Sequence, residues 1–195
     1  MPEIILASAS PRREELLRLL GLDFRVVTSE FDESMAPQWP PEEHVVESAT
    51  GKAADIASRI HDGVVVGADT VVVVDSSILG KPVDPEDARR MLRLLSGRSH
   101  YVFTGLCVMQ RAAGETIRSE RDCVCTEVRF GELNDEAIDA YVATGEPLDK
   151  AGAYGIQERG SVLVERIAGD YFNVVGLPVY RLSRMLLEVG IALFR

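Results

Sequence analysis

The spacing of apolar residues changes period several times along the chain, and each change marks an element. Glu3-Ile4-Ile5-Leu6-Ala7 reads as a short buried strand. Ser10 then suits an N-cap, Pro11 the first helical position, and Glu14 and Glu15 the first turn. Leu16, Leu17, Leu19 and Leu20 give a helical stripe that Gly21 ends. Asp23–Thr28 reads as a second strand, and Ser29–Pro41 as a polar loop bearing Glu30, Asp32 and Glu33. The spacing predicts a helix over Glu42–Ile60 with Val45, Val46, Ala49, Ala53, Ile56 and Ala57 inside. Lys52 projects from that helix, as a solvated lysine or as part of a site.

Gly63–Val74 is the most apolar run, and its β-branched residues favour a strand. Asp75-Ser76-Ser77 is a turn, and Gly80-Lys81-Pro82 follows a short apolar return. Asp84-Pro85-Glu86-Asp87 opens a helix with Met91, Leu92, Leu94 and Leu95 inside, ended by Ser96-Gly97. Ser99–Arg111 and Glu115–Arg129, joined by the Gly114 turn, read as an antiparallel pair. Asn134 caps a helix through Val142 that Gly145 closes. Pro147–Gln157 is a Gly-rich loop, Ser161–Ile167 a strand, and a C-terminal helix runs to about Val189. These elements make an α/β fold, with a mixed twisted sheet, flanking helices and a long antiparallel hairpin. No linker separates independent domains, and neither a P-loop nor a dinucleotide glycine motif is present.

Composition adds bounds. The 195 residues are 46% hydrophobic and 27% charged, an ordinary globular balance. No signal peptide, long charge-free apolar run or basic arm is evident, so the expectation is a cytoplasmic protein without membrane attachment. Cys107, Cys123 and Cys125 lie in strand-like stretches without metal-ligand spacing, and read as buried thiols. A net charge of −10 argues against nucleic-acid binding, which needs a basic stripe. Yet Arg12, Arg13, Lys52, Lys81 and Lys150 sit beside strand ends and turns. A focal basic pocket in an acidic protein suits a small polyphosphate, and leaves carboxylates for a divalent metal.

Two places concentrate candidate chemistry. At Ser8-Ala9-Ser10-Pro11-Arg12-Arg13 a strand ends at a helix N-terminus, where N–H groups, hydroxyls and guanidinium groups meet; this suits a phosphate, or is an ordinary capped helix with solvated arginines. Asp69 interrupts the most buried run. It must be paired, bind a metal or face a cleft, and the small Gly67 and Ala68 beside it leave room for a ligand.

Taken together, these segments resemble the Maf family of nucleoside triphosphate pyrophosphatases, related in fold to inosine triphosphatase. The matching pieces are Ser8–Arg13, Glu33, Lys52, Gly67-Ala68-Asp69-Thr70, Lys81-Pro82, Phe103-Thr104-Gly105, Asp149–Gln157 and Asn173–Pro178, in the family's order. One departure is Glu158-Arg159, where many relatives place a small residue. The resemblance implies a single domain over 1–195, with two lobes around a cleft. It implies hydrolysis of a nucleoside triphosphate to monophosphate and pyrophosphate with Mg2+ or Mn2+, and the form of the Gln157 loop points to dTTP and UTP, with modified pyrimidine nucleotides as further candidates. Asp69 would be the general base and a metal ligand, and Glu33 the metal-side carboxylate. Ser8, Arg12, Arg13, Lys52, Thr70, Lys81 and Gln157 would bind substrate, with Arg12, Thr70 and Gln157 near the base. The family also implies a homodimer. The competing reading is a nucleotide-binding regulator of cell division without turnover, but such a module has no need of a carboxylate beside bound phosphates.

Overall fold

Local chemistry sets most element boundaries. The computed structural model describes residues 2–32 and 39–194. In chain order the strands and helices are β1 (Ile4–Ala7), α1 (Pro11–Arg18), β2 (Phe24–Val26), α2 (Pro41–Ala57), β3 (Gly63–Val74), β4 (Ser77–Leu79), α3 (Pro85–Leu95), β5 (Ser99–Ala112), β6 (Glu115–Phe130), α4 (Asp135–Val142), β7 (Val164–Ala168), α5 (Tyr171–Val175) and α6 (Val179–Glu188). The strand order is β2-β1-β3-β5-β6-β7, with β4 beside β3. β1 is parallel to β2 and β3, whereas β4 is antiparallel to β3 and β7 to β6. The sheet is therefore mixed, as the sequence predicts.

The turns follow residue type. Asp75 and Ser76, with φ of 48° and 63°, form the two-residue link between β3 and β4. Ala113 and Gly114 take the same left-handed region between β5 and β6. That tip is tied down: Ala113 N donates to Asp62 Oδ1 at 3.0 Å and Gly114 N to the His61 carbonyl at 3.0 Å. Asp84 and Asn134 cap α3 and α4, accepting from Asp87 N and Ala137 N, each at 2.8 Å. Such a cap is worth about 1 kcal/mol.

Four expectations need correction. Ser10 holds the N-cap position of α1 but its side chain makes no capping bond; its backbone N–H goes to Ser8 Oγ at 3.1 Å. Leu19 is 67% exposed, because α1 ends at Arg18 and the stripe stops with it. Residues 161–163 belong to a 3-10 helix, Arg159–Leu163, and β7 starts only at Val164. Cys107 is buried, and burial pushes its thiol up, but Cys125 is exposed. Along β6 the buried positions are Thr126, Val128 and Phe130, so the pleat turns Cys125 outward.

The chain divides into two compact units. The first comprises Met1–Asp69, Thr104–Val124 and Gly176–Arg195, and the second Thr70–Phe103 and Cys125–Val175. In the first, Ala49, Ala53, Ile56 and Ala57 of α2 pack with Ile5, Ala7, Val65, Cys107 and Met109. The contact is unusually close: a Cβ at Gly67 would come nearer than 3.0 Å to the Ala49 carbonyl, and one at Gly105 nearer than 3.0 Å to that of Val45. In the second, Met91, Leu92 and Leu95 of α3 pack with Val102, Val128, Phe130, Ile138 and Tyr141.

His100 lies in the second core, fully buried, with Nε2 2.9 Å from Tyr154 Oη and its ring edge-on to Phe130 and Tyr154. Burial lowers its pKa from 6.5 to about 4. The folded state thus binds fewer protons than the unfolded chain between those values. Stability is complete above pH 6.5 and declines as pH falls toward 4, by roughly 3 kcal/mol at about 1.4 kcal/mol per pKa unit. Urea melts from pH 7.5 to 4.5 check this: the gap between wild type and His100→Gln should shrink as pH falls. Parallel curves would show that His100 does not titrate across the transition.

Candidate active site

The first candidate centre forms where β1 turns into α1. Ser8 is buried; its N–H donates to the Leu6 carbonyl at 3.1 Å, and its Oγ accepts from Ser10 N. Arg13 Nη1 approaches the same Oγ at 3.5 Å, and Arg13 Nε donates to the Gly176 carbonyl at 2.8 Å. One edge of the Arg13 guanidinium is therefore held by the chain. Arg12, the neighbouring cation, is half-buried. The positive end of the α1 dipole adds to this field.

The second centre is an ion pair. Lys52 Nζ donates to Asp69 Oδ1 at 2.7 Å, and both residues are buried, at 9% and 7% exposure. Helix geometry puts Lys52 there: Val45, Ala49, Lys52 and Ile56 follow one another at spacings of four, three and four, a single face. On β3, Val65, Gly67 and Asp69 also share one face. The close approach of α2 at Gly67 then carries Lys52 onto Asp69 two residues further along. The reading of Lys52 as a solvated lysine is thus wrong, and the helical spacing was the signal. The space left by Gly67 is likewise filled by the main chain of α2, not kept open for a ligand. Lys52 supplies the partner that a carboxylate in this run requires.

The remaining candidates are placed as follows. Thr70 follows Asp69 on β3 and is half-buried. Lys81 is exposed beyond β4, and Gln157 is exposed in a turn after the Gly-rich segment. These three belong to the second unit. Glu33 lies outside the described residues. Among the described residues no group of three or more His, Cys, Asp or Glu side chains forms a ready metal cage.

No local pattern announces the groups that shape the Gln157 segment. The segment carries two 3-10 helices, Glu146–Asp149 and Ala151–Ala153, before Tyr154. Gly152, at φ 67°, sits against Val72 with no room for a Cβ, and its N–H donates to the Gly80 carbonyl at 3.0 Å. Lys150 is buried; its Nζ donates to the Glu146 carbonyl at 2.8 Å and Asp149 Oδ1 at 2.9 Å, and pairs with Glu158 at 3.3 Å. Lys150 is thus an internal tether, and the unusual Glu158 is one of its partners.

The α/β architecture is shared with solved Ham1 proteins. The one from Coxiella burnetii aligns with a TM-score of 0.54 at 18% identity, over 96% of this chain and all of that one. The one from Staphylococcus aureus gives 0.51 at 14% identity, over 97% and 100%. Sequence narrows the class. The family model described as Maf-like protein matches residues 3–189. A dTTP/UTP pyrophosphatase of Moorella thermoacetica is 50% identical over 192 residues, 98% of this chain and 97% of that protein. One from Methanosarcina mazei is 47% identical over 195 residues, 100% and 98%. The chain belongs to the Maf family.

Proposed function

We propose that this protein is a pyrophosphatase of dTTP and UTP, cutting between the α- and β-phosphates to give the nucleoside monophosphate and pyrophosphate. The observation that carries this is near-full-length similarity, at about half the residues, to proteins bearing that name. The geometry supports it with a buried carboxylate held by an ammonium group, and cations beside a helix N-terminus.

In the proposed reaction Asp69 takes a proton from the attacking water as oxygen bonds to the α-phosphorus and pyrophosphate leaves. Lys52 orients that carboxylate through Oδ1, leaving Oδ2 for the water. Ser8, Arg12, Arg13 and Lys81, with Lys52 beside Asp69, are assigned to the phosphates, whose charge grows on the leaving group. Arg12, Thr70 and Gln157 are assigned near the base, where the Gln157 amide can match a pyrimidine edge. A hard divalent ion held by one or two carboxylates plus phosphate oxygens fits a donor set with no ready cage among the described residues. Asp69 and Glu33 are the carboxylates assigned to it. Bound there, such an ion would neutralise charge on the phosphates. Cytoplasmic location and a homodimer complete the proposal; among the described residues no helix is long and apolar enough to cross a membrane.

The test is a panel of nucleoside triphosphates with magnesium or manganese, following pyrophosphate and orthophosphate separately. We expect pyrophosphate from dTTP and UTP, and loss of turnover on chelation. Orthophosphate as the product would overturn the site of cleavage. Tight binding without turnover would favour a regulator, and full activity after exhaustive chelation would remove the metal.

A further inference from the structure

The segment that carries Gln157 is held at both ends by one carboxylate and one phenol that the proposed mechanism does not use. Glu146 Oε1 accepts from Tyr141 Oη at 2.8 Å and from Gly160 N at 3.0 Å, and Glu146 Oε2 accepts from Arg159 N at 3.1 Å. Tyr141 Oη in turn accepts from Gly155 N at 3.2 Å. Two side chains thus take the amides of Gly155, Arg159 and Gly160, bracketing Gln157 two residues before it and two and three after. Tyr141 comes from α4, so the link ties the loop to a packed helix rather than to itself. Its position is also fixed from within, since a Cβ at Gly160 would overlap Tyr141 Oη. Burial and the neighbouring Glu146 carboxylate push the Tyr141 phenol further up, so it stays a donor to Glu146 even well into alkaline pH.

This wiring is costly for a loop that merely connects elements. Glu146 is an exposed-loop carboxylate by sequence, yet it accepts three hydrogen bonds, two of them from main-chain amides. A turn could close Gly155–Gly160 with its own carbonyls. Instead the amides point at a side chain, and Gln157 is left exposed at the apex.

We propose that Glu146 and Tyr141 are positioning residues for base selection, holding residues 155–160 so that Gln157 meets the base in one register. The proposal rests on the reading of Gln157 as the base-facing residue. It does not place Glu146 or Tyr141 on the substrate.

Glu146→Gln and Tyr141→Phe test it. Gln has one carbonyl oxygen and an NH2, so one of the two clusters of N–H and O–H donors must face another donor. Phe keeps the packing of Tyr141 and removes the group that Gly155 N reaches. Two readouts are taken. Amide hydrogen exchange should speed at Gly155 in Tyr141→Phe, and at Arg159 or Gly160 in Glu146→Gln, by roughly tenfold or more, with α3 amides unchanged. The preference for dTTP over dGTP in kcat/KM should fall by roughly five- to tenfold, mainly through a higher KM for dTTP. Glu146→Asp, which keeps the carboxylate, should recover part of the preference.

Gln157→Ala is measured in parallel. If it lowers the preference and combining it with Tyr141→Phe adds little, the proposal holds. If Gln157→Ala lowers the preference but the other two variants leave both exchange and preference unchanged, the positioning role is overturned and the Gln157 reading stands. If Gln157→Ala leaves the preference intact, the base-facing reading fails and the proposal with it. An equal loss of rate on all bases that tracks thermal stability would mark Glu146 and Tyr141 as structural only.

Discussion

Asp69→Asn should lower pyrophosphate release by roughly 10²- to 10⁴-fold, the usual worth of a positioned general base. The amide keeps an oxygen for Lys52 but cannot take a proton from water. The ion pair complicates the experiment in an instructive way. Removing one partner of a buried pair commonly costs about 3–5 kcal/mol, because the other charge is left uncompensated. Here the Lys52 and Asp69 side chains are 11% and 10% exposed, and the Asn oxygen still accepts a hydrogen bond, so the loss should be smaller. Rates must therefore be measured well below the melting temperature of the variant. A rate loss present in fully folded protein assigns the chemistry to Asp69. A folded variant that keeps most of its turnover would sink the assignment, and a loss that follows only the unfolded fraction would make Asp69 a structural carboxylate.

Gly67→Ala should destabilise the protein by about 3 kcal/mol or more, beyond the ordinary cost of an added methyl group. The new Cβ would meet the carbonyl oxygen of Ala49 and the backbone nitrogen of Ala53, and neither can move without displacing α2. Gly80→Ala is the control, since a Cβ there meets nothing within 4 Å. It should melt within about 0.5 kcal/mol of wild type. The comparison also separates two readings of Gly67. A variant that stays stable but binds nucleotide poorly would mean that the gap belongs to a ligand after all.

Where local chemistry decides, the sequence was a good guide. β3 spans Gly63–Val74 as the pattern predicts, because its valines and threonine favour an extended buried strand. The caps at Asp84 and Asn134 followed from side chains that need only reach three residues ahead. The failures share a different cause. Residues 161–163 have strand-like composition, but the amides of Arg159 and Gly160 just before them are drawn to Glu146, and the chain coils instead. The hold of Gly176 on Arg13 crosses 163 residues, and no local pattern encodes it. At the candidate site, Asp69 was legible because a charge in an apolar run demands a reason. Lys52 is legible as a site residue, but its burial is not, because a lysine on a helix is ordinarily at the surface.

Among the packed side chains between α2 and the strands β3 and β5, the Ala49 carbonyl lies directly on Gly67 and the Val45 carbonyl directly on Gly105. Longer side chains would act as springs there, each rotamer hop letting the helix shift. At Gly67 and Gly105 that compliance is absent, so the axis of α2 is pinned at two points one turn apart along the helix, at Val45 and Ala49. Lys52 lies less than one further turn along. Its side chain thus leaves a helix clamped against the very strand that bears its counter-charge, so a shift of α2 would carry the base of the ion pair with it.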